Sequence, residues 1–96
     1  MAQGSVVYVI PTSIASAASM TIQPSAGVEW LVKNIYYAGA VSFYKTDGSN
    51  PILFDSDGTA GAKQGCSFLV TNTCYITVKN VTTTPFYMCW DGLQTL

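Results

Sequence analysis

Charged side chains are what this sequence has least of. Only 9% of its 96 residues are charged, against roughly 25% in an ordinary soluble domain, while 49% are hydrophobic. A monomer of this composition exposes apolar patches, and such patches usually mark a surface that another molecule covers. The alternative is a neutral surface of Ser, Thr, Asn and Gln, which the chain also supplies. We expect an obligate assembly.

Histidine and arginine are both missing. Without histidine the chain lacks the commonest general acid or base, the usual partner of a Ser or Cys nucleophile, and the commonest metal ligand. Without arginine it lacks the side chain best suited to hold carboxylates and phosphates. We therefore expect a protein that is not an enzyme, with no catalytic residue and no cofactor.

Cations and long apolar runs are scarce as well. The four lysines stand far apart along the chain, so no basic patch is available to neutralise a phosphate backbone. Apolar runs such as Val6–Ile10 are far shorter than the roughly 18 residues that span a bilayer. Val6–Ile10 is also too short for a signal peptide and has no cation before it. We expect neither a nucleic-acid partner nor a membrane partner.

The residues that could hold a metal are poorly placed. The three cysteines form no Cys-x-x-Cys pair, and at least one thiol stays free within a single chain, which favours a reducing compartment. Cys74 and Cys89 fall in strand-like runs and are interpreted as small buried hydrophobic residues. Asp55 and Asp57 begin an incomplete calcium loop and are better interpreted as part of an Asp-Gly turn. We expect no metal site.

Short runs of β-branched and aromatic residues with a period of two dominate the chain, and helical periodicity is absent. In Thr73–Lys79, for example, Cys74, Ile76 and Val78 alternate with Tyr75, Thr77 and Lys79. The predicted strands are Ser5–Ile10, Met20–Ile22, Val28–Tyr36, Ala40–Thr46, Ile52–Asp55, Ser67–Thr71, Thr73–Lys79 and Pro85–Trp90. A long loop is predicted over Ser56–Gly65.

Eight short strands without helices cannot form parallel sheets, because parallel strands need long crossover connections. The sequence therefore predicts an all-β fold: an antiparallel two-sheet sandwich, jelly-roll-like, of about eight strands. An immunoglobulin-like or barrel arrangement is the alternative. No composition change marks a boundary, so residues 1–96 are predicted to form a single domain, with residues 1–4 as a flexible N-terminal arm.

Aromatic residues are numerous for so small a core. Alternation places Trp30, Phe43 and Trp90 inside and leaves Tyr44 and Tyr87 outside, together with either Tyr36 or Tyr37. Outward tyrosines could anchor a subunit interface or stack on sugars, and we favour the interface. The candidate interface residues are Tyr36, Tyr37, Tyr44, Tyr87 and Leu93.

A set of turn and strand residues also carries a resemblance. These are Gln23-Pro24-Ser25-Ala26-Gly27-Val28-Glu29-Trp30, Asn34-Ile35, Thr46-Asp47-Gly48, Val70-Thr71-Asn72, Tyr75, Val78-Lys79-Asn80 and Trp90-Asp91-Gly92-Leu93-Gln94-Thr95. From about Ser5 to Leu96 the chain resembles small structural proteins of tailed bacteriophage virions. It is similar to the group that decorates or cements the outer capsid.

That resemblance implies a jelly-roll or related sandwich that forms homotrimers at the three-fold positions of a capsid. Its partner would be the major capsid protein, and its place the capsid exterior after synthesis in the host cytoplasm. A tail- or fibre-associated adhesin, or a carbohydrate-binding sandwich, is the alternative, because one fold serves several functions. No catalytic residue carries over.

Overall fold

A computed structural model describes residues 4–96, so of the predicted arm over residues 1–4 only Gly4 lies within the described part. The regular secondary structure of these residues consists of β-strands, with no helix. The strands are β1 (Val6–Ile14), β2 (Ser19–Ile22), β3 (Glu29–Tyr37), β4 (Val41–Thr46), β5 (Ile52–Asp57), β6 (Gly61–Lys63), β7 (Phe68–Thr71), β8 (Tyr75–Asn80) and β9 (Phe86–Gln94). Sheet A contains β1, β9, β3, β6 and β7, and sheet B contains β2, β8, β4 and β5.

The strand pairs enclose one another in sequence, with the β4–β5 hairpin innermost and the β1–β9 pair outermost. β4 pairs with β5 in sheet B, β3 pairs with β6 and β7 in sheet A, β2 pairs with β8 in sheet B, and β1 pairs with β9 in sheet A, all antiparallel. Successive pairs thus alternate between the sheets, which is the winding of a jelly roll. The predicted fold class is confirmed.

One core lies between the two sheets. Its buried apolar side chains are Val7, Met20, Ile22, Val32, Ile35, Tyr37, Val41, Phe43, Val70, Ile76, Val78, Met88 and Trp90. Removing a side chain such as Phe43 from water contributes about 1.5–3 kcal/mol. Trp30 closes one end of the core, with its ring centroid 5.0 Å from that of Trp90. The predicted core positions of Phe43 and Trp90 are confirmed, and Trp30 is partly buried against the core.

Asn80 ties the loops at one end of the sandwich together. It is fully buried at the end of β8. Its Nδ2 donates to the carbonyl oxygens of Ile14 and Thr84, both at 3.0 Å, and its Oδ1 accepts from the Thr82 amide at 2.8 Å. The end of β1 is therefore fixed to the turn that leads into β9.

Two local predictions were wrong. The loop predicted over Ser56–Gly65 is interrupted, because β5 continues to Asp57 and β6 pairs with β3. Cys74 was expected to be buried in a strand, but it is exposed in the turn before β8. This turn is closed by the Thr71 amide, which donates to the Cys74 carbonyl at 2.8 Å, so alternation begins only at Tyr75.

Candidate protein-binding face

The outer face of sheet A carries a continuous row of aliphatic side chains across four strands. In the strand register Val6 of β1 lies opposite Leu93 of β9, Leu93 opposite Leu31 of β3, and Leu31 opposite Leu69 of β7. Residues that lie opposite one another share a face of the sheet. We call these four residues the apolar row. Val6 is 64% exposed, Leu69 48% and Leu93 38%, and Leu31 is half-buried between its neighbours.

The Asp91 carboxylate lies next to the apolar row, and Glu29 precedes Leu31 by two residues on the same face of β3. Asp91 of β9 faces Tyr8 of β1 on one side and Asn34 of β3 on the other. Asn34 donates from Nδ2 to Asp91 Oδ1 at 2.6 Å and accepts from the Gly65 amide at 3.1 Å. The hydrogen bond from Asn34 holds the Asp91 side chain against β3, and Gly65 holds Asn34 in turn.

Tyrosines extend this face away from the apolar row. Tyr36 lies opposite Cys89, and Tyr87 lies opposite Ser13. Desolvation, and to a lesser degree the Asp91 carboxylate, raises the pKa of Tyr36. Tyr8 and Tyr87 are exposed, whereas Tyr36 is half-buried. The Tyr36 hydroxyl thus remains a neutral hydrogen-bond donor at physiological pH.

The structure separates the candidate interface residues into three groups. Tyr36, Tyr87 and Leu93 share the outer face of sheet A. Tyr44 is half-buried on the outer face of sheet B. Tyr37 is in the core, where its ring packs edge-on against Phe43, so it is not available to a partner. The sequence interpretation left open which of the two adjacent tyrosines faces outward.

The outer face of sheet B has a different chemistry. One row across its strands is Ser19, Lys79, Ser42 and Ser56, and the next is Thr21, Thr77, Tyr44 and Leu53. Hydroxyl groups dominate these rows, and they are well solvated in water. The two outer faces of the sandwich are therefore unequal, with aliphatic and aromatic groups concentrated on sheet A.

A second exposed apolar patch lies on β5, the edge strand of sheet B. Ile52 and Leu53 are 65% and 56% exposed, and Phe54 is also exposed. We call these three residues the edge patch. The Phe54 ring lies 5.3 Å from the ring of Phe68 at the start of β7, so the edge patch adjoins the β7 side of sheet A. An exposed apolar edge strand is a surface that readily accepts another chain.

Two carboxylates outside these patches are held by partners within the described residues. Asp55 pairs with the Lys63 ammonium, and Asp57 accepts a hydrogen bond from the Tyr37 hydroxyl at 2.7 Å. Burial is the main cause that raises the pKa of the Cys66 and Cys89 thiols, which leaves them protonated and weakly nucleophilic. Residues 4–96 contain no cluster of three or more His, Cys, Asp or Glu side chains suited to a metal.

A pocket of about 220 Å³ opens between the turn before β3, the turn before β8 and Leu96. This volume is below the roughly 300–1,000 Å³ of typical small-molecule sites. Within residues 4–96 there is also no helix with the length and apolarity to cross a membrane. The exposed apolar faces are therefore the most distinctive surface features of the described chain.

Comparison of the sequence with known proteins identified no relative. No family model matches the chain, and no curated protein matches it at a significant level.

Proposed function

We propose that this protein is a non-enzymatic virion structural protein that decorates a bacteriophage capsid. In this proposal it binds capsid subunits as a homotrimer on the capsid exterior and strengthens the shell by adhesion. The observation that carries the proposal is the inequality of the two outer faces. The apolar row and its tyrosines occupy one side of the sandwich, and a hydroxyl-rich surface occupies the other.

The physical basis of adhesion is removal of the apolar row from water. Covering apolar surface stabilises a complex by about 25 cal/mol for each Å² buried, before the costs of association. The tyrosines suit the same role because they combine a large ring with a hydrogen-bonding hydroxyl. A partner that binds only the assembled shell shifts the equilibrium toward that shell, so decoration raises capsid stability by mass action.

Binding to purified capsids that lack decoration tests the proposal. We expect the native protein to sediment with such capsids at saturable stoichiometry and to raise the temperature at which they disassemble. A matched control is a Thr21→Lys variant, which adds a cation to the hydroxyl-rich outer face of sheet B and is expected to bind as the native protein does. Absence of capsid binding by the folded native protein would contradict the proposal.

One observation favours a second candidate, a tail- or fibre-associated carbohydrate-binding module. The half-buried Tyr44 ring lies opposite Thr77 on the hydroxyl-rich face, in the row that ends at Thr21. Sugar sites combine a stacking ring with polar groups of this kind. Binding on a glycan array that Tyr44→Ala abolishes would favour this candidate over capsid decoration.

A further inference from the structure

The Asp91 carboxylate has no cationic partner within the described chain. Its oxygen Oδ1 accepts a hydrogen bond from the neutral Asn34 amide at 2.6 Å. The ion pair found among residues 4–96 joins Lys63 and Asp55 instead. Asp91 is half-buried on the outer face of sheet A, next to the apolar row. Covering such a carboxylate with protein is unfavourable unless the covering surface supplies a charged or hydrogen-bonding partner.

Tyrosine rings stand close to this carboxylate. Tyr8 of β1 lies directly opposite Asp91, and side chains in opposed positions of a sheet have Cβ atoms about 4.5–5.5 Å apart. The Tyr8 side chain is 68% exposed, so its ring is open to another molecule. Desolvation, followed by the charge and a hydrogen bond of Asp91, raises the pKa of Tyr36, which lies on the same face two residues after Asn34. A carboxylate, an amide and an exposed ring therefore lie side by side.

We propose that Asp91, Asn34 and Tyr8, which we call the Asp91 site, bind an arginine side chain of the capsid subunit that covers sheet A. This inference rests on the proposed function, because it names the chemistry by which the same face recognises its partner. A guanidinium group donates a fork of N–H groups to a carboxylate while its flat face stacks on an aromatic ring. A lysine ammonium is a point charge with no plane to stack on the Tyr8 ring.

The Asp91 site retains the hydrogen-bonding capacity that a guanidinium group needs. A carboxylate has about four lone-pair positions, and within residues 4–96 the side chains of Asn34 and Tyr36 use two of them on Asp91. The Gly65 amide donates to Asn34 at 3.1 Å, and Asn34 in turn holds Asp91 against β3. Little side-chain freedom is therefore lost when a partner binds there.

A second copy of this chain is a poor source of the cation. The sequence contains no arginine and only four lysines. Three of the lysines already contact a partner within the chain: Lys33 the Ser67 hydroxyl, Lys45 the Leu69 carbonyl and Lys63 the Asp55 carboxylate. The fourth, Lys79, stands in a hydroxyl-rich row of sheet B. A guanidinium group must come from a different protein.

The carboxylate on the other side of the apolar row has different neighbours. Glu29 lies opposite Thr71, and the Thr95 hydroxyl lies 3.5 Å from Glu29 Oε1. These neighbours are threonines, so a cation bound at Glu29 gains no stacking from them. Glu29→Gln therefore serves as an internal comparison, because it removes a charge beside the apolar row without touching the Asp91 site.

Four variants separate the contributions of charge and ring to capsid binding. Asp91→Asn removes the charge but keeps an oxygen that can accept from Asn34, and Tyr8→Leu removes the ring. Asp47→Asn is the matched control, because it removes the same charge from an exposed turn between β4 and β5. Glu29→Gln completes the set. Thermal unfolding establishes that each variant folds, and cosedimentation with undecorated capsids measures the dissociation constant.

The largest effect is expected at Asp91. We expect Asp91→Asn to weaken capsid binding at least about tenfold, because the partner's guanidinium loses its anion in a covered interface. Tyr8→Leu should weaken binding about two- to fivefold through the loss of ring stacking. Glu29→Gln should have a smaller effect than Asp91→Asn, and Asp47→Asn should bind as the native protein does. Equal weakening by Asp47→Asn and Asp91→Asn would reveal a net-charge effect and overturn the site.

Protection from phenylglyoxal, an arginine reagent, identifies the partner group directly. Because this chain contains no arginine, the reagent modifies arginine side chains of the capsid alone. We expect bound native protein to protect at least one capsid arginine, as read by peptide mass spectrometry, and saturating Asp91→Asn protein to leave that arginine reactive. Arginine modification that native protein leaves unchanged overturns the guanidinium assignment.

The same experiments distinguish this inference from the proposed function. Native protein that binds capsids, together with Asp91→Asn protein that binds equally well, overturns the Asp91 site and leaves capsid decoration standing. Native protein that does not bind capsids overturns capsid decoration and the Asp91 site together.

Discussion

The Tyr37 hydroxyl donates to the Asp57 carboxylate at 2.7 Å and thereby links the two sheets of the sandwich. Tyr37 belongs to β3 in sheet A, and Asp57 ends β5 in sheet B. The tyrosine ring is buried, with only 5% of its surface exposed. This bond anchors the end of the edge strand that carries the edge patch, so it connects core stability with the geometry of an exposed apolar surface.

Removing this hydroxyl should weaken the fold measurably. We expect Tyr37→Phe to lower the free energy of unfolding by about 1–3 kcal/mol, because a hydrogen bond to a charged acceptor is lost. Urea denaturation measures the change. Tyr87→Phe is the matched control, since that side chain is exposed on sheet A and its variant should stay within about 0.5 kcal/mol of the native protein. Equal effects of the two substitutions would contradict this role.

The same bond predicts a loss of stability at alkaline pH. Desolvation and the bond to Asp57 raise the pKa of Tyr37 from 10.0 to about 12 in the folded protein. The folded state therefore holds this proton more tightly than the unfolded state. Its contribution is fully present below pH 10 and disappears as the pH rises toward 12. The difference in unfolding free energy between native protein and Tyr37→Phe should shrink over that range, and a constant difference would refute the assignment.

Gly92 is predicted to be intolerant of any side chain. A Cβ at this position of β9 would collide with the backbone carbonyl of Leu31 in the neighbouring strand. We expect Gly92→Ala to destabilise the protein by about 2–4 kcal/mol, because strands β3 and β9 must separate locally. Thermal unfolding measures the loss. Gly58→Ala serves as the control, since nothing lies within 4 Å of a Cβ there, and a similar loss in both variants would argue against the close approach.

Asn80 should be one of the most sensitive polar positions. Replacing it with alanine removes its hydrogen bonds to the carbonyls of Ile14 and Thr84 and the bond that it accepts from the Thr82 amide. We expect Asn80→Ala to cost about 2–4 kcal/mol in denaturant unfolding, since several backbone groups lose a hydrogen bond at once. Thr83→Ala, an exposed change in the same turn, should be nearly neutral. Near-native stability of Asn80→Ala would show that the loops hold without it.

Period-two alternation located most of the core but could not follow the bulge in β3. Trp30 and Val32 face inward as alternation predicts, and the same phase would bring Tyr36 inward and leave Tyr37 outside. A bulge between Val32 and Asn34 shifts the register by one residue, so Ile35 and Tyr37 are buried instead. No turn-forming glycine marks this bulge, which is why the sequence left the choice between the two tyrosines open.

Strand order lies outside what the alternation of residues can reveal. Val6, Leu31, Leu69 and Leu93 are far apart in the sequence, and each alone is an ordinary exposed aliphatic residue. They become a continuous row only because the jelly-roll winding places β1, β9, β3 and β7 side by side. Composition indicated an apolar surface, but the topology was needed to place it on sheet A.

Strand β6 was not predicted, because it too depends on contacts between distant parts of the chain. Its three residues, Gly61, Ala62 and Lys63, include neither a β-branched nor an aromatic side chain. It is a strand because it pairs with the C-terminal end of β3, from Ile35 to Tyr37. Such a strand is defined by its tertiary neighbour and not by its own sequence.

The central claim is that neighbouring protein covers the outer face of sheet A, and two cysteines allow a direct test. Cys89 lies opposite Tyr36 on that face, and Cys74 is exposed in the turn before β8. Maleimide labelling followed by mass spectrometry should compare dilute, dissociated protein with assembled protein. We predict that assembly slows labelling of Cys89 at least about tenfold and leaves Cys74 unchanged, because only the covered thiol is shielded. Equal labelling of Cys89 in dilute and assembled protein would contradict the account.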